Sequence, residues 1–336
     1  MSGVSVILCC HSSGKRIPET LRHLARQEVP KDVPWEVLVI DNASTDGTAE
    51  VAKREWSASS HAPLRVVPQP LTGLSYAREK GIESARYEFL LFCDDDNWLC
   101  PTYLARAQQI LEKHPEVALV GGWGKPICEV EPPSWFDDFS GPYGTGPQGD
   151  KAGVVSPLMT FYGAGAVVRK SDYLNLSQEG FRFFLSGRQG NKLTTGEDRE
   201  LGYAFTLNGK KMYYDPELKF QHFIPKERAT FKYYRRMIHN CVPAGIVLQA
   251  YHLKILNCIG KRAGWKNSYP WIMAMMVLSQ IRRVTHVAET YLEKGYVRHL
   301  LLEMAMIPRM LWVWSTRGKE FRDARKTIDQ SHYVRI

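Results

Sequence analysis

The 336-residue sequence lacks the marks of several large protein classes. No apolar run reaches the roughly 20 residues that a membrane-spanning helix needs, and the short run at Val4–Leu8 carries neither the length nor the cleavage site of an export signal. The seven cysteines are odd in number and form no Cys-x-x-Cys pair, which argues against a disulfide framework and against a zinc site. We therefore expect a globular protein of the cytoplasm.

Motifs of two nucleotide-using enzyme classes are also missing or incomplete. The segment Cys9–Arg16, which follows the first apolar run, reads CCHSSGKR. It lacks the Gly-x-Gly-x-x-Gly of dinucleotide-dependent dehydrogenases, which excludes that class. It only partly matches the Gly-rich basic loop expected of an enzyme that makes sugar nucleotides, so a sugar nucleotidyltransferase stays open as an alternative.

The positive charge of the chain is concentrated in its last third. Residues 219–336 contain 21 Lys and Arg against 7 Asp and Glu, whereas residues 1–218 contain 23 against 28. This asymmetry predicts an anionic partner for the C-terminal region, with a merely solvated basic surface as the alternative. The aromatic and basic residues of 231–236 would also suit a nucleic-acid-binding protein, but that interpretation leaves the acidic clusters below unexplained. An inactive nucleotide- or nucleic-acid-binding relative of an enzyme is a further alternative.

The first third of the chain alternates apolar strands with helical segments. The predicted strands are Val4–Cys9, Trp35–Ile40, Leu64–Val67 and Phe89–Cys93, and the predicted helices between them are Pro18–Gln27, Thr48–Glu55 and Tyr76–Ser84. This alternation predicts an α/β fold, a doubly wound, mostly parallel sheet flanked by helices. Ligands of such sheets bind beyond the carboxyl ends of the strands, where His11, Asp41 and Asp94–Asp96 fall.

The rest of the chain divides by composition. Gly121–Gly165 is rich in Gly, Pro and aromatic residues and predicts loops that form a pocket wall or lid. Regular structure is expected again at Ala164–Arg169, in a helix at Glu197–Leu207 and in a strand near Lys211–Tyr214, and the chain then becomes mainly helical. We predict a catalytic domain over residues 1–225, with a nucleotide-binding half at 1–120 and an acceptor half at 121–225, followed by a basic helical region at 226–336.

Three consecutive aspartates, Asp94, Asp95 and Asp96, follow the apolar strand Phe89–Cys93. Adjacent carboxylates repel one another, so the cluster costs stability unless a cation lies there. Mg²⁺ and Mn²⁺ favour one or two carboxylates together with water and phosphate oxygens, and such an ion would neutralise a diphosphate leaving group. The alternative is a solvated turn.

A second acidic cluster, Thr195–Asp198, opens a predicted helix. Acidic residues are common in a first helical turn, where they cap the helix and complement its dipole. Beside a leaving-group site, however, the same carboxylates could serve as the general base that deprotonates an incoming hydroxyl.

Four segments in order resemble the conserved blocks of the family 2 glycosyltransferases, enzymes with the GT-A fold. The segments are Val39–Thr48, Leu71–Gly81, Cys93–Asn97 with Pro101 beyond, and Gly196–Asp198. Order and spacing agree over roughly residues 4–225. Leu71 and Glu79 stand where the family usually has Asn.

For the nucleotide, the resemblance implies that Asp41 accepts a hydrogen bond from the base, with His11 and Ser12 lining the same pocket. Arg78 would lie near the base or a phosphate. Asp94 and Asp95 would also belong to the donor site, with Asp94 facing the ribose or the metal.

For the chemistry, the resemblance implies a Mn²⁺ or Mg²⁺ ion bound by Asp96 and shared with Asp94. His222 is a further candidate ligand, although a lone histidine can equally be a packed structural residue. Asp198 would be the general base, with Glu197 beside it. A single displacement with one base predicts inversion at the anomeric carbon.

The function predicted on this basis is transfer of a sugar from a nucleotide sugar, UDP-linked in most of the family, to a hydroxyl of a saccharide or lipid-linked saccharide. Such a reaction would serve cell-surface polysaccharide or glycan synthesis. The apolar stretches Trp271–Ile281 and Leu300–Trp314 lie among basic residues, which predicts helices in the headgroup region of an anionic membrane on its cytoplasmic face. Packing on the catalytic domain or in a homo-oligomer is the alternative. The sequence leaves the sugar and the acceptor open.

Overall fold

The computed structural model describes residues 2–57, 62–188, 195–261 and 268–336. Its central feature is a nine-stranded sheet in the order β3-β2-β1-β4-β8-β6-β9-β5, with β7 paired to β9. The strands are β1 Val4–Cys10, β2 Trp35–Asp41, β3 Leu64–Pro68, β4 Phe89–Asp94, β5 Asn97–Leu99, β6 Val117–Cys128, β7 Gly153–Val154, β8 Val167–Arg169 and β9 Lys211–Ile224. The neighbours among β1–β4 are parallel, as are β6 and β9, whereas β8 is antiparallel to both β4 and β6.

Helices flank the sheet and then form the C-terminal region. They are α1 Ile17–Ala25, α2 Thr48–Ser57, α3 Leu74–Ser84, α4 Tyr103–Lys113, α5 Lys170–Gln178, α6 Glu197–Leu207, α7 Phe231–Cys258, α8 Tyr269–Glu293, α9 Val297–Thr316 and α10 Gly318–Gln330. The mostly parallel α/β fold with a helical C-terminal extension, predicted from the sequence, is thereby confirmed.

The apolar strands are buried on both faces. In β1, Ile7 packs into one hydrophobic cluster and Leu8 into another on the opposite side of the sheet, and both side chains are fully buried. A strand covered on both faces needs apolar residues at every position, which explains why the strand appears in the sequence as a continuous apolar run rather than an alternating one.

Two stretches differ from the sequence expectation. The predicted loop region Gly121–Gly165 begins within β6, which continues to Cys128. Glycine is required there because β6 lies against β9: a Cβ on Gly122 would lie 2.1 Å from the Leu218 carbonyl oxygen. The predicted short strand near Lys211–Tyr214 is likewise the start of the 14-residue β9.

Helix α7 packs directly on the α/β part of the chain. Ile246 and Tyr251 are fully buried in the same cluster as Ile7 of β1, and the Tyr251 hydroxyl donates to Glu200 of α6 at 3.1 Å. The division at residue 225 remains a prediction. Across the described ranges, no helix combines the length and the apolar character needed to cross a membrane.

Candidate active site

A cavity of about 580 Å³ opens at the carboxyl ends of β1, β2 and β4. Eight of the ten site residues predicted from the sequence line it, namely His11, Arg78, Asp94, Asp95, Asp96, Glu197, Asp198 and His222. The other two do not, but Asp41 is adjacent to Asn42 and Ser12 to His11, which both line the cavity. We call this cavity the cleft.

One end of the cleft is built from the turns after β1 and β2. Among the described residues other than glycine, only Ser12 and Ala43 have positive φ angles, 50° and 53°. Such conformations are costly and collect at functional sites. The two turns are joined by the Ser12 amide, which donates to Ser44 Oγ at 3.0 Å, and by His11, whose Nδ1 lies 2.7 Å from the Asn42 carbonyl oxygen.

The side chain of Asn42 holds the segment before α3 against this end of the cleft. Its Nδ2 donates to the Leu71 carbonyl at 2.6 Å, and its Oδ1 accepts from the Gly73 amide at 2.7 Å. Asp41 accepts from the Ser44 amide at 3.2 Å. Sequence reasoning missed Asn42, although its place directly after the strand-ending Asp41 was the available signal.

Protein side chains supply cations to two of the three aspartates, which the sequence argument did not foresee. Asp95 pairs with Arg16, whose Nε lies 3.0 Å from Oδ2. Burial and repulsion from Asp96 nevertheless raise the pKa of Asp95 to about 6. Asp96 pairs with Arg228 at 3.0 Å and lies 3.4 Å from His222 Nε2. Burial alone would raise the pKa of Asp96, but these two partners hold it below its usual range.

The donor atoms around Asp96 fit a divalent ion that is shared with phosphate. Within the described part of the chain, no group of three or more His, Cys, Asp or Glu residues could hold a metal by itself. Asp96 and His222 offer one carboxylate and one imidazole, and the buried His222 Nδ1 has no hydrogen-bond partner in the described structure. Mg²⁺ and Mn²⁺ commonly take only one or two protein ligands and complete their coordination with water and phosphate oxygens.

The two acidic residues that begin α6 have different surroundings. Glu197 is buried and pairs with Arg78 at 3.2 Å, and burial together with Asp198 raises its pKa to about 7. Asp198 is partly exposed to the cleft, and its two oxygens each accept one backbone amide, from Gly163 and Arg199, at 2.8 Å. These bonds orient the Asp198 carboxylate and leave lone pairs for a proton.

Arginines face the acidic cluster across the cleft. Arg16, Arg188 and Arg228 line it together with Arg78, whose guanidinium also lies 5.4 Å from the centre of the Phe92 ring. Sequence reasoning did not single out Arg16, Arg188 or Arg228 for the site. Arg16 and Arg228 are 79 and 132 residues from their aspartate partners, so no local pattern could connect them.

Comparisons with known proteins agree with this architecture. Residues 5–173 match the family described as "Glycosyl transferase family 2". The putative glycosyltransferase EpsH of Bacillus subtilis (strain 168) is 31% identical over 100 residues, which are 30% of this chain and 28% of the relative. The cholesterol galactosyltransferase of Borreliella burgdorferi is 31% identical over 101 residues, which are 30% of this chain and 27% of the relative. The matches therefore span little more than a quarter of the length of these relatives.

Solved structures share the fold over nearly the whole chain. The crystal structure of S. aureus TarS 1–349 in complex with UDP has a TM-score of 0.51 and 18% identity, covering 98% of this chain and 91% of that one. The mannosyltransferase PcManGT from Pyrobaculum calidifontis, in complex with GDP-Man and Mn²⁺, has a TM-score of 0.53 and 19% identity, covering 97% and 87%. The family match covers just over half of the sequence, and the chain belongs to glycosyl transferase family 2.

Proposed function

We propose that the protein is an inverting glycosyltransferase that moves a sugar from a UDP-sugar to a hydroxyl of a saccharide or lipid-linked saccharide, in the synthesis of cell-surface polysaccharide or glycan. The observation that carries the proposal is the arrangement of the cleft. Asp198 faces the same cavity as Asp94–Asp96 and the arginines that surround them. A base for the acceptor and a charged site for the leaving group therefore stand in one cavity.

The reaction proceeds as a single displacement. The acceptor oxygen attacks the anomeric carbon, the bond from that carbon to the diphosphate breaks, and the hydroxyl proton passes to Asp198. Arg188 and Arg228 stabilise the negative charge that develops on the departing diphosphate. A Mn²⁺ or Mg²⁺ ion held by Asp96 and His222 would add further positive charge there.

The proposals for the donor and for the acceptor rest on different observations. The related folds bind UDP, UDP-GlcNAc and GDP-Man, which supports a nucleotide sugar as donor. The relatives are named for acceptors as different as cholesterol and poly(ribitol-phosphate), so the acceptor is proposed from the reaction class alone.

A stability screen tests the donor. UDP-, GDP- and dTDP-sugars are added to the protein with Mn²⁺ or with a chelator, and the unfolding temperature is measured. A partner present at a hundred times its Kd adds about 2.7 kcal/mol of stability. We expect UDP-sugars with Mn²⁺ to give the largest increase. No stabilisation by any nucleotide sugar, or release of pyrophosphate from UTP and a sugar phosphate, would contradict the proposal.

We further propose that the C-terminal helices hold the enzyme at an anionic membrane surface on the cytoplasmic side. The outer face of α9 exposes Val297, Leu301, Met304, Leu311 and Trp312, while its inner face is buried at Leu302 and Met306. One face of α9 thus packs on the protein, and the opposite face is exposed and available to a membrane surface. Two of the basic residues that flank these helices in the sequence, Arg262 and Lys266, lie outside the described residues.

A further inference from the structure

A second cavity of about 500 Å³ lies between α7, α8, α9 and the turn at residues 138–142. We call it the chamber. Its wall shares Gly141, Pro142, Cys241 and Gly245 with the cleft, so the two cavities meet there. We propose that the chamber binds a hydrocarbon chain attached to the acceptor, while the accepting hydroxyl lies at Asp198. The inference rests on the proposed function and names the class of acceptor.

Most of the free surface of the chamber is apolar. Ile238, Val242, Met276, Met306 and Met310 line it. Methionine side chains are flexible and polarisable and adapt to apolar groups of irregular shape. Burial of such a group removes apolar surface from water, which is the main source of affinity at a site of this kind.

The charged side chains of the chamber are paired with protein groups. Glu303 accepts from Arg283 at 3.0 Å and from Gln280 at 2.7 Å. Asp138 accepts from Lys294 at 2.8 Å and from the Tyr296 hydroxyl at 2.9 Å. A hydrocarbon chain leaves these pairs intact, because it needs no hydrogen-bond partner.

The aromatic rings of the chamber are likewise engaged. Phe139 stacks on His299 with ring centres 4.0 Å apart, and Trp314 stacks on Tyr269 at 5.4 Å. Phe139 is 7% exposed and Trp314 is 1% exposed. Neither ring offers an open face as a platform for a sugar, which again favours a hydrocarbon chain.

Gly245 keeps the passage between cleft and chamber open. It lies inside α7, where glycine costs about 1 kcal/mol relative to alanine. A Cβ at this position would meet no atom within 4 Å, so packing does not demand glycine. Cys241, one helical turn earlier, borders the same passage. Burial raises the pKa of its thiol, while the charge of Arg199 lowers this pKa and that of Asp198 raises it. A hydrocarbon chain that enters the chamber here leaves the attached sugar near Asp198, the proposed base.

Protection of Cys241 from a thiol reagent tests the proposal without knowledge of the sugar. Cys241 is the one exposed cysteine of the seven. Methyl, butyl and octyl glucoside are added below their micelle-forming concentrations, and the modification rate of Cys241 is followed by peptide mass spectrometry. Each CH₂ that leaves water should lower the half-protecting concentration about fourfold, which corresponds to roughly 0.8 kcal/mol. Protection that does not depend on chain length, or equal protection by phenyl and octyl glucoside, would overturn the proposal.

Two variants of α8 test whether the hydrocarbon chain lies in the chamber. Met276→Trp narrows the chamber, whereas Leu278→Trp adds the same ring to α8 at a position that is 46% exposed and outside the lining. We expect Met276→Trp to raise the half-protecting concentration of octyl glucoside at least tenfold and Leu278→Trp to leave it unchanged. Equal effects of the two would overturn the proposal.

A second pair of variants decides the matter if Met276→Trp fails to fold. Gly245→Leu fills the passage, whereas Gly245→Ala adds only one methyl group. Only the leucine should weaken the binding of octyl glucoside, measured by calorimetry, and unchanged binding would overturn the proposal. Stabilisation of the unmodified protein by UDP-sugars is measured in parallel. If UDP-sugars do not stabilise the protein, the proposed function is contradicted. If protection does not depend on the length of the alkyl chain, the chamber proposal is contradicted.

Discussion

At the scale of single residues, Asp198 and Glu197 show how neighbours in sequence acquire different chemistry. Glu197 is committed to Arg78, while Asp198 is oriented by two backbone amides and faces the cleft. We predict that Asp198→Asn lowers kcat by about 10²-fold or more, the usual scale for a general base, and leaves the affinity for the nucleotide sugar unchanged. Steady-state kinetics and donor calorimetry measure the two quantities. Lost donor affinity with an unchanged kcat would instead make Asp198 a binding residue and pass the role of base to Glu197.

The proposed metal site predicts different effects for substitutions of two adjacent aspartates. Asp96→Asn should raise the Mn²⁺ concentration needed for nucleotide-dependent stabilisation by at least about tenfold, because a ligand is lost. The matched variant Asp95→Asn should change it little, since the proposed ion is held by Asp96 with the neighbouring His222, whereas Asp95 is held by Arg16. Asp96→Asn should also lower stability by about 1–3 kcal/mol because it leaves Arg228 without its carboxylate partner. Equal Mn²⁺ requirements in both variants would contradict the assignment of Asp96.

At the scale of elements, α6 and α7 are joined through a buried carboxyl group. Glu200 accepts from the amides of Phe184 and Leu185 and from Tyr251 of α7. Burial raises its pKa to about 7, above the value of an unfolded chain. Between these two pKa values the folded state binds more protons, so the free energy of unfolding should fall as pH rises from about 4.5 to 7 and then level off.

The size of this effect is at most about 3 kcal/mol for Glu200. Urea unfolding between pH 5 and pH 8 measures it, and Glu200→Gln should reduce the slope because the amide does not titrate in this range. Some slope should remain, since Glu197 is raised in the same direction. A wild-type protein that becomes more stable between pH 5 and pH 7 would contradict the prediction.

The elements that the sequence predicted well are those with local signals. The bounds of α6 are those expected, and the early strands and helices agree within about two residues, because apolar runs and turn residues mark their ends. The sequence prediction ended β9 too early. The second half of this strand mixes polar with apolar residues and is held in place by pairing with β6, which no local pattern reveals. The same limit applies to the cleft. Its acidic residues either follow a strand, as Asp94–Asp96 do, or begin a helix, as Glu197 and Asp198 do, whereas Arg16, Arg188 and Arg228 reach the cleft through the tertiary fold.

At the scale of the whole molecule, charge and apolar exposure coincide in the C-terminal region. Residues 219–336 hold an excess of basic over acidic side chains, and most of the large exposed apolar side chains after residue 260 lie on α8 and α9. Along α9 the exposed residues 297, 301, 304, 308, 311 and 312 form one stripe at helical spacing. A stripe of this kind beside basic residues suits the interface of an anionic bilayer better than bulk water.

Sedimentation with lipid vesicles tests this arrangement. We predict that the protein sediments with anionic vesicles at low salt and less at high salt, because each basic residue near the surface contributes about 1 kcal/mol that added salt screens. Leu301→Ser with Trp312→Ser should weaken binding, since these two side chains are 58% and 56% exposed on the outer face of α9. The matched variant Leu71→Ser removes an equally exposed leucine, 58% exposed, from the α/β part of the chain, and should bind as the wild type does. Binding that is equal on neutral and anionic vesicles, or absent at low salt, would contradict the electrostatic membrane proposal. The stripe would then be assigned to contact between copies of the chain, which the sedimentation coefficient of the free protein measures.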